Sequence, residues 1–423
     1  MKEKLLYLCH RIPYPPNKGD KIAAYHILRY LNKHYDVYLG CFIDDPFDNK
    51  YQDDVRAMCK EAHFVQASPL QSKLKSLSAF ITGKPLTVPH YHSPNMHKWV
   101  KRTMADNGIE KIFMFSACVA QFALTESNRH AHKVMHFVDI DSDKWGQYAQ
   151  KSTGLVRWVY AREQKKLADY EKHVANQTEV SCFVSDSECA MFRDMLPPEQ
   201  QYKVCTLSNG IDSEYFCPKT EPVTRSPTHD NDSYKQENNA LKHESYPIEQ
   251  DNYVVFTGAM GYRPNVEAVV WFVNEVWPLV KEQVPDGKFY IVGSSPSKQV
   301  LSLQQEPGVI VTGRVEDIRP YISNAKGAVA PMQTARGIQN KILEAMSMER
   351  SILTTELGME GIEDYPQNGI TLASKPQPTA QWVIDKLQQD IQPQPHSRLW
   401  LQENYSWDAK LAPLLNYLDR TSD

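Results

Sequence analysis

Residues 327–348 constrain this chain more than any other stretch. A short apolar run, Gly327-Ala328-Val329-Ala330, gives way to a loop that begins at Pro331 and then to a helical pattern that reaches Met348. A brief apolar run, turn chemistry and a periodic helix together make the repeating unit of an open α/β sheet. The loop carries Arg336, Gly337, Ile338, Gln339, Asn340 and Lys341, and the helix opens with Ile342, Leu343 and Glu344. Ligands of such sheets sit outside the carboxyl ends of the strands, where loop N–H groups and a helix N-terminus favour anions. Phosphate is the anion expected here.

Glu344 sharpens this expectation. Read in the first helical turn, its carboxylate faces the positive end of the helix dipole, but it would repel a phosphate docked at the same terminus. A neutral diol suits it better, because one carboxylate accepts from two neighbouring hydroxyls. Arg336 and Lys341 on a diphosphate, with Glu344 on a ribose, would together describe a nucleoside diphosphate. The alternative at this point is an ordinary N-terminal helix acid beside two solvated cations.

The segment ARGIQNKILEAMSM (335–348) resembles the C-terminal-domain signature of the family 4 glycosyltransferases, a Glu followed after seven residues by a second Glu within EAMA. Glu344 matches the second Glu, and Arg336 stands in place of the first, which in the family contacts the donor sugar. The RGIQNK variant resembles the branch of sugar transferases associated with the PEP-CTERM/exosortase system and exopolysaccharide loci. Ser208 to Asp212 (SNGID) resembles the segment that closes the family's N-terminal half. The resemblance implies an α/β fold of GT-B architecture, two Rossmann-like domains facing across a cleft. It also implies transfer from a nucleotide-sugar with retention and without an obligatory metal or other cofactor.

With 423 residues and 41% hydrophobic residues, the chain is long enough for two sizeable cores. Its eight cysteines form no CxxC pair, which suits a reducing cytoplasm. No signal peptide is read before the first strand and no run of about 18 apolar residues is present, so any contact with the inner membrane is expected to be peripheral. The charge is uneven. Residues 1–205 hold 28 Lys and Arg against 23 Asp and Glu, and the remainder 19 against 28. The basic half is expected to face an anionic partner, a membrane surface or phosphorylated acceptor, whereas no basic and aromatic stripe points to nucleic acid.

In the N-terminal half, 1–218, strands are expected at Lys4–Cys9, Val37–Ile43, Lys111–Phe115, Val134–Val138, Val180–Val184 and Val204–Leu207. After the first strand comes a loop with Lys18, Gly19 and Asp20, where the family brings a glycine-rich loop to donor and acceptor; a plain turn is the alternative. Residues 70–98 read as helix and loop, basic and amphipathic through Lys73, Lys75 and Lys84 among Leu74, Leu77, Phe80 and Ile81. A core-facing helix is preferred there over a membrane-surface one. His90, His92 and His97 lack a clear fourth ligand for a metal. DIDSDKW (139–145) fails as a calcium loop for want of the turn glycine and the final glutamate. Asp139 and Asp141 are instead placed at a strand's carboxyl end, with His136 the nearest candidate for the family's His-Asp pair. The helix from Gly154 to Ala175 offers a second membrane-surface candidate in its first turns.

Residues 219–252 are polar, without apolar periodicity, and read as a disordered linker or insertion. The second domain, 253–399, is expected to open with a strand at Val254–Phe256 that leads to Gly258 and to a loop with Arg263. Later strands end at Gly293 and Gly313, and Arg314 follows. The tail, 400–423, has Trp407, Leu411, Leu414, Leu415 and Leu418 at helical spacing. In the family this helix crosses back to the N-terminal domain, and a simple capping helix is the alternative.

The expected catalytic set is therefore Arg263 and Lys341 on the diphosphate and Asp139 at the acceptor. Glu344, Arg336, Gly337, Ile338, Gln339, Asn340, Gly258, Gly293 and Arg314 are expected to hold the donor, and Gly19, Asp20, Asp141 and His136 to face a saccharide or polyprenyl-linked acceptor. Two rivals are a nucleotide-sugar epimerase and a silent nucleotide-binding partner of a polysaccharide assembly complex.

Overall fold

The computed structural model describes residues 2–16, 19–67, 75–150, 152–218, 251–335 and 337–419. It divides into two compact units. The first comprises Met1–Gly210 with Trp407–Asp423, and the second Ile211–Ser406. Lys18, Lys73, Leu74, Arg336 and residues 219–250 of the expected linker lie outside the described residues.

Unit 1 holds strands β1 (Glu3–Cys9), β2 (Tyr35–Ile43), β3 (Glu61–Gln66), β4 (Lys111–Phe115), β5 (His132–Val138), β6 (Val180–Phe183) and β7 (Val204–Thr206). They form one parallel sheet in the order β3-β2-β1-β4-β5-β6-β7. Because helices cover both faces of a parallel sheet, its central strands read as unbroken apolar runs. Leu5 to Cys9 of β1 are at most 1% exposed. Strand order reverses between β1 and β4, so the crevice at their carboxyl ends is the topological switch point.

Unit 2 repeats the plan with β8 (Tyr253–Thr257), β9 (Lys288–Val292), β10 (Val309–Gly313), β11 (Gly327–Ala330), β12 (Ile352–Thr354) and β13 (Ile370–Leu372). The parallel order is β10-β9-β8-β11-β12-β13, and the switch point lies between β8 and β11. The two stretches on which the donor site was placed, after Thr257 and after Ala330, therefore flank one crevice.

Several boundaries differ from those expected. Ile211 and Phe216 insert into the core of unit 2, so the first unit ends at Gly210 rather than at residue 218. Leu401, fully buried, anchors the Pro395–Asn404 helix to that same core. Only the chain from Trp407 onwards belongs with unit 1. There Trp407, Leu411, Leu414 and Leu418 are buried, and Trp407 stacks on His26 with ring centroids 4.5 Å apart. The tail forms two short helices, Trp407–Leu411 and Pro413–Asp419, because proline starts helices and does not continue them.

Two edge strands, β3 and β13, escaped the sequence reading. Glu61–Gln66 (EAHFVQ) is only part-buried, so it lacks the continuous apolar signal of the central strands. Within 70–98, a helix from Pro94 to Asn107 begins at Ser93, whose Oγ accepts from the Met96 N–H at 3.2 Å, and it ends at Gly108 with φ of +60°. Among the described residues no helix is long and apolar enough to cross a membrane.

Candidate functional site

In unit 2, strand β8 ends at Thr257 and turns at Gly258, and β9 ends at Val292 and turns at Gly293. Their φ angles are +151° and +155°. The two turns cross so closely that a Cβ on Gly293 would lie 1.7 Å from the Gly258 carbonyl oxygen. The Gly258 N–H donates to the Val292 carbonyl at 3.0 Å. Glycine is required at both places, and Gly258 thereby keeps its backbone open to the crevice.

From the other side of the switch point, the β11 loop leads through Gly337 (φ +64°) into the helix Asn340–Ser347. Gln339 is the N-cap residue, and its amide donates to the Gly337 carbonyl at 3.0 Å. Because the helix starts at Asn340, Glu344 is its fifth residue. This corrects the placement of Glu344 in the first turn. It stands one turn in, facing β8, where the Thr257 hydroxyl donates to its Oε2 at 3.4 Å. Lys341 donates to Gln339 Oε1 at 3.1 Å, and its ammonium lies 5.4 Å from the centre of the Phe256 ring.

These groups line a depression of about 280 Å³. Thr257, Gly258 and Tyr262 come from the β8 side, and Ile338 to Lys341 with Glu344 from the β11 side. Burial dominates its electrostatics. It pushes the Glu344 carboxyl up to about 7, although Lys341 and the Thr257 hydroxyl pull the other way. It brings the Lys341 ammonium down to about 8, against the attraction of Glu344. Two groups whose charged forms are this poorly solvated are ready to exchange the missing water for ligand dipoles and charges.

The expected site residues separate on this geometry. Gly258, Ile338, Gln339, Asn340, Lys341 and Glu344 converge on the depression, and Gly337 and Gly293 shape the turns beside it. Arg263 does not line it. Its guanidinium, 89% exposed, pairs at 2.6 Å with Glu267 one helical turn on, because the helix begins at Arg263 itself and sets the two residues at i and i+4. Arg314 is exposed after β10. Thr257 and Tyr262 were missed. The only sequence signal for Thr257 is its position as the last strand residue before Gly258.

Unit 1 gathers polar groups at the carboxyl ends of β1, β2, β5 and β6. Asp20, in the first turn of the Gly19–His34 helix, takes hydrogen bonds from Arg11 at 2.7 Å and pairs with His10 at 3.3 Å. Those partners hold its carboxyl well below the usual range. Arg11 also reaches Asp44 at 2.7 Å. Gly19 opens the helix with nothing near its Cα face. Lys144 bonds Asp139 and lies 3.6 Å from Asp141, and Asp141 is the first residue of the helix Asp141–Gln150. Burial and the Asp139 charge push Glu188 up to about 7. His10, Arg11, Asp44 and Glu188 were not singled out from sequence, and only their position just past strand ends marks them.

His136 is corrected from a cleft residue to a core one. It is 1% exposed, its Nδ1 accepts the Val138 N–H at 3.0 Å and its Nε2 meets the Leu207 carbonyl at 3.2 Å. Burial brings its pKa down to about 4, so it is neutral and holds Val138 at a φ of +75°. Strand alternation explains this: Asp139 lies beyond the strand end, and His136 lies within it. Among the described residues no three His, Cys, Asp or Glu side chains are placed to hold a metal ion. His90 meets Ser76, and His92 meets Gln121.

Comparison with known proteins agrees with this fold. Residues 251–389 match the model of the family Glycosyl transferases group 1. A curated relative, an uncharacterised 44.6 kDa protein in the cps region of Klebsiella pneumoniae, is 24% identical over 129 residues, 29% of this chain. The chain spans about a third of that relative's length. Among solved structures, Anabaena Alr3699/HepE in complex with UDP has a TM-score of 0.59 at 12% identity, with 99% of this chain and 100% of that chain covered. Sucrose-phosphate synthase from Thermosynechococcus elongatus gives 0.58 at 15% identity, with 98% of each chain covered. WaaG, a glycosyltransferase involved in lipopolysaccharide biosynthesis, gives 0.53 at 15%, with 99% and 100% covered. The chain has the GT-B fold, and its residues 251–389 are similar to the family Glycosyl transferases group 1.

Proposed function

We propose that this enzyme transfers a sugar from a nucleoside-diphosphate donor held in unit 2 to a saccharide or lipid-linked acceptor, in the synthesis of a cell-surface polysaccharide. The observation that carries this reading is the convergence of Lys341, Glu344 and the N-terminus of the Asn340–Ser347 helix on the Gly258 turn, at the switch point of the second sheet. Glu344 accepts from the ribose hydroxyls, with Thr257 fixing the carboxylate. Lys341 and the N–H groups from Gly337 to Asn340 receive the diphosphate. The HepE complexes with UDP and UDP-glucose and the cps-region relative support a nucleotide-sugar donor and a polysaccharide product.

In the transfer, an acceptor hydroxyl oxygen bonds to the anomeric carbon while the bond from that carbon to the phosphate oxygen breaks. The electron pair leaves with the diphosphate, and the hydroxyl proton passes to the departing phosphate oxygen. Preorganised positive charge where the anion develops is the principal catalytic contribution. Front-face attack of this kind retains configuration and needs no protein nucleophile, in keeping with the likeness to family 4 at 335–348. Asp139, Asp141 and Asp20 belong to the acceptor side on this reading, and Arg336 takes the place of a sugar-contacting glutamate.

Calorimetric titration with UDP, GDP and ADP, each with and without magnesium, tests the reading. One preferred nucleotide, bound without metal and lost in Glu344→Ala, is expected. No binding of any nucleotide, or unchanged binding in that variant, refutes the donor assignment.

A further inference from the structure

Two stretches that the sequence offers separately as basic and amphipathic come together in unit 1. Phe80 stacks on Trp158 with ring centroids 6.2 Å and planes 13° apart. Arg162 lies over the Phe80 ring at 4.8 Å and donates to the carbonyls of Ala79 at 2.6 Å and Lys84 at 3.1 Å. The Leu86 N–H donates to Glu163 at 2.7 Å. The segment around residues 75–86 is thus tied to the first turns of the Gly154–Asn176 helix.

What the joined surface presents overturns the core-facing expectation. Ile81 is 90% exposed, Leu155 76%, Leu77 59% and Trp158 57%. Single exposed apolar residues are ordinary, but several carried by two segments that are joined through the Phe80–Trp158 stack mark an interaction surface. Lys75, Lys84, Arg157, Lys165 and Lys166 stand among them. Among the described residues of 75–90 and 152–168 the sole acid is Glu163, which is fully buried and paired with Arg162. A chain of net charge −4 therefore rims one apolar face with cations, and the first exposed acid of that helix, Asp169, comes one turn beyond Lys165.

We propose that this face seats unit 1 on an anionic lipid surface. Ile81, Leu155, Leu77 and the Phe80–Trp158 stack enter the boundary between headgroups and acyl chains, where aromatic rings are favoured. The long Lys and Arg side chains meet the headgroup phosphates. The complementarity is between a cation-rimmed apolar patch and a layer that is anionic above and apolar below. The assignment deepens the lipid-linked acceptor reading but uses none of the residues of the unit 2 site, so the two fail independently.

The full-length protein, sedimented with phosphatidylcholine vesicles with or without phosphatidylglycerol, tests it. Binding is expected only with phosphatidylglycerol, and it should weaken as salt is raised. Ile81→Ser with Leu155→Ser should weaken it at least tenfold, and Lys84→Glu with Arg157→Glu by about fivefold for each positive charge removed. The far-UV circular dichroism spectrum and the thermal unfolding profile should be unchanged in both variants, which establishes that unit 1 is folded in each. Absence of binding, equal binding to neutral and anionic vesicles, or wild-type binding by both variants would overturn the proposal. So would a concentration-dependent dimer in sedimentation velocity that Ile81→Ser with Leu155→Ser abolishes, because the patch would then be filled by a second copy.

Discussion

Gly293 and Gly258 touch backbone to backbone: a Cβ on Gly293 would sit 1.7 Å from the Gly258 carbonyl oxygen. The crossing fixes the ends of β8 and β9 and sets the floor beside Glu344. Gly293→Ala must either part the strand ends or displace Gly258, and its φ of +155° is also hostile to a side chain. The expected loss is roughly 2–5 kcal/mol, from backbone strain and overpacking together. Urea denaturation checks this, and loss of nucleotide binding should accompany it.

Glu344→Ala should weaken nucleoside-diphosphate binding by ~10–100-fold, the usual worth of a charge-assisted hydrogen-bond pair. Glu344→Gln keeps the shape but removes the charge, and it should fall between Ala and wild type. Titration calorimetry separates the three proteins. An equal loss with the corresponding 2′-deoxynucleotide would show that the carboxylate does not contact the ribose.

The pH dependence follows from the two shifted groups. Burial raises the Glu344 carboxyl from its ordinary 4.5 to about 7 in the folded protein, so its contribution to stability is fully present below about 4.5 and is lost as pH rises through 7. Lys341 titrates at about 8, below 10.5. Its contribution is present above 10.5 and is lost as pH falls through 8. Both groups are charged between 7 and 8, where the empty site is least comfortable and a diol with a diphosphate relieves it most. Nucleotide affinity should therefore peak between pH 7 and 8, and Glu344→Gln should lose the acidic limb alone.

Lys341→Met should lower kcat by ~10²–10³-fold through loss of charge at the departing diphosphate. The thermal midpoint of the free protein should be unchanged or higher, because the ammonium is poorly solvated where it stands. Steady-state transfer assays and differential scanning calorimetry read the two effects apart.

His136→Phe should destabilise unit 1 by about 1–3 kcal/mol, since it leaves the Val138 N–H and the Leu207 carbonyl without their buried partner. Nucleotide affinity should not change. A variant that kept full stability but lost acceptor binding would restore His136 to the site.

The depression proposed as the donor site was legible because its parts are local. A strand end, a glycine turn, a helix start and Glu344 at a fixed offset all follow from spacing along 327–348 and 253–258. Arg263 shows the limit: its position near Gly258 was readable, but its guanidinium turns to Glu267, a choice made by helix phase. Strands β3 and β13 were hidden for a related reason, because an edge strand is only half covered and its sequence need not be continuously apolar. His136 was misplaced by proximity in sequence to Asp139, when the strand end falls between them.

The sequence by itself determined the two doubly wound sheets, since parallel strands covered on both faces must be written as apolar runs between periodic helices. It also determined the strand, loop and helix start around Asn340 on which the donor site is proposed. The tertiary structure alone decided which side chains share a surface. It brought Thr257 to Glu344 across 87 residues of chain, and it drew Phe80 against Trp158 to join two segments that the sequence offers only separately. It also sent Trp407 to Leu418 into the core of unit 1. Such pairings depend on strand order and helix phase acting together, and these are fixed only when the whole core closes.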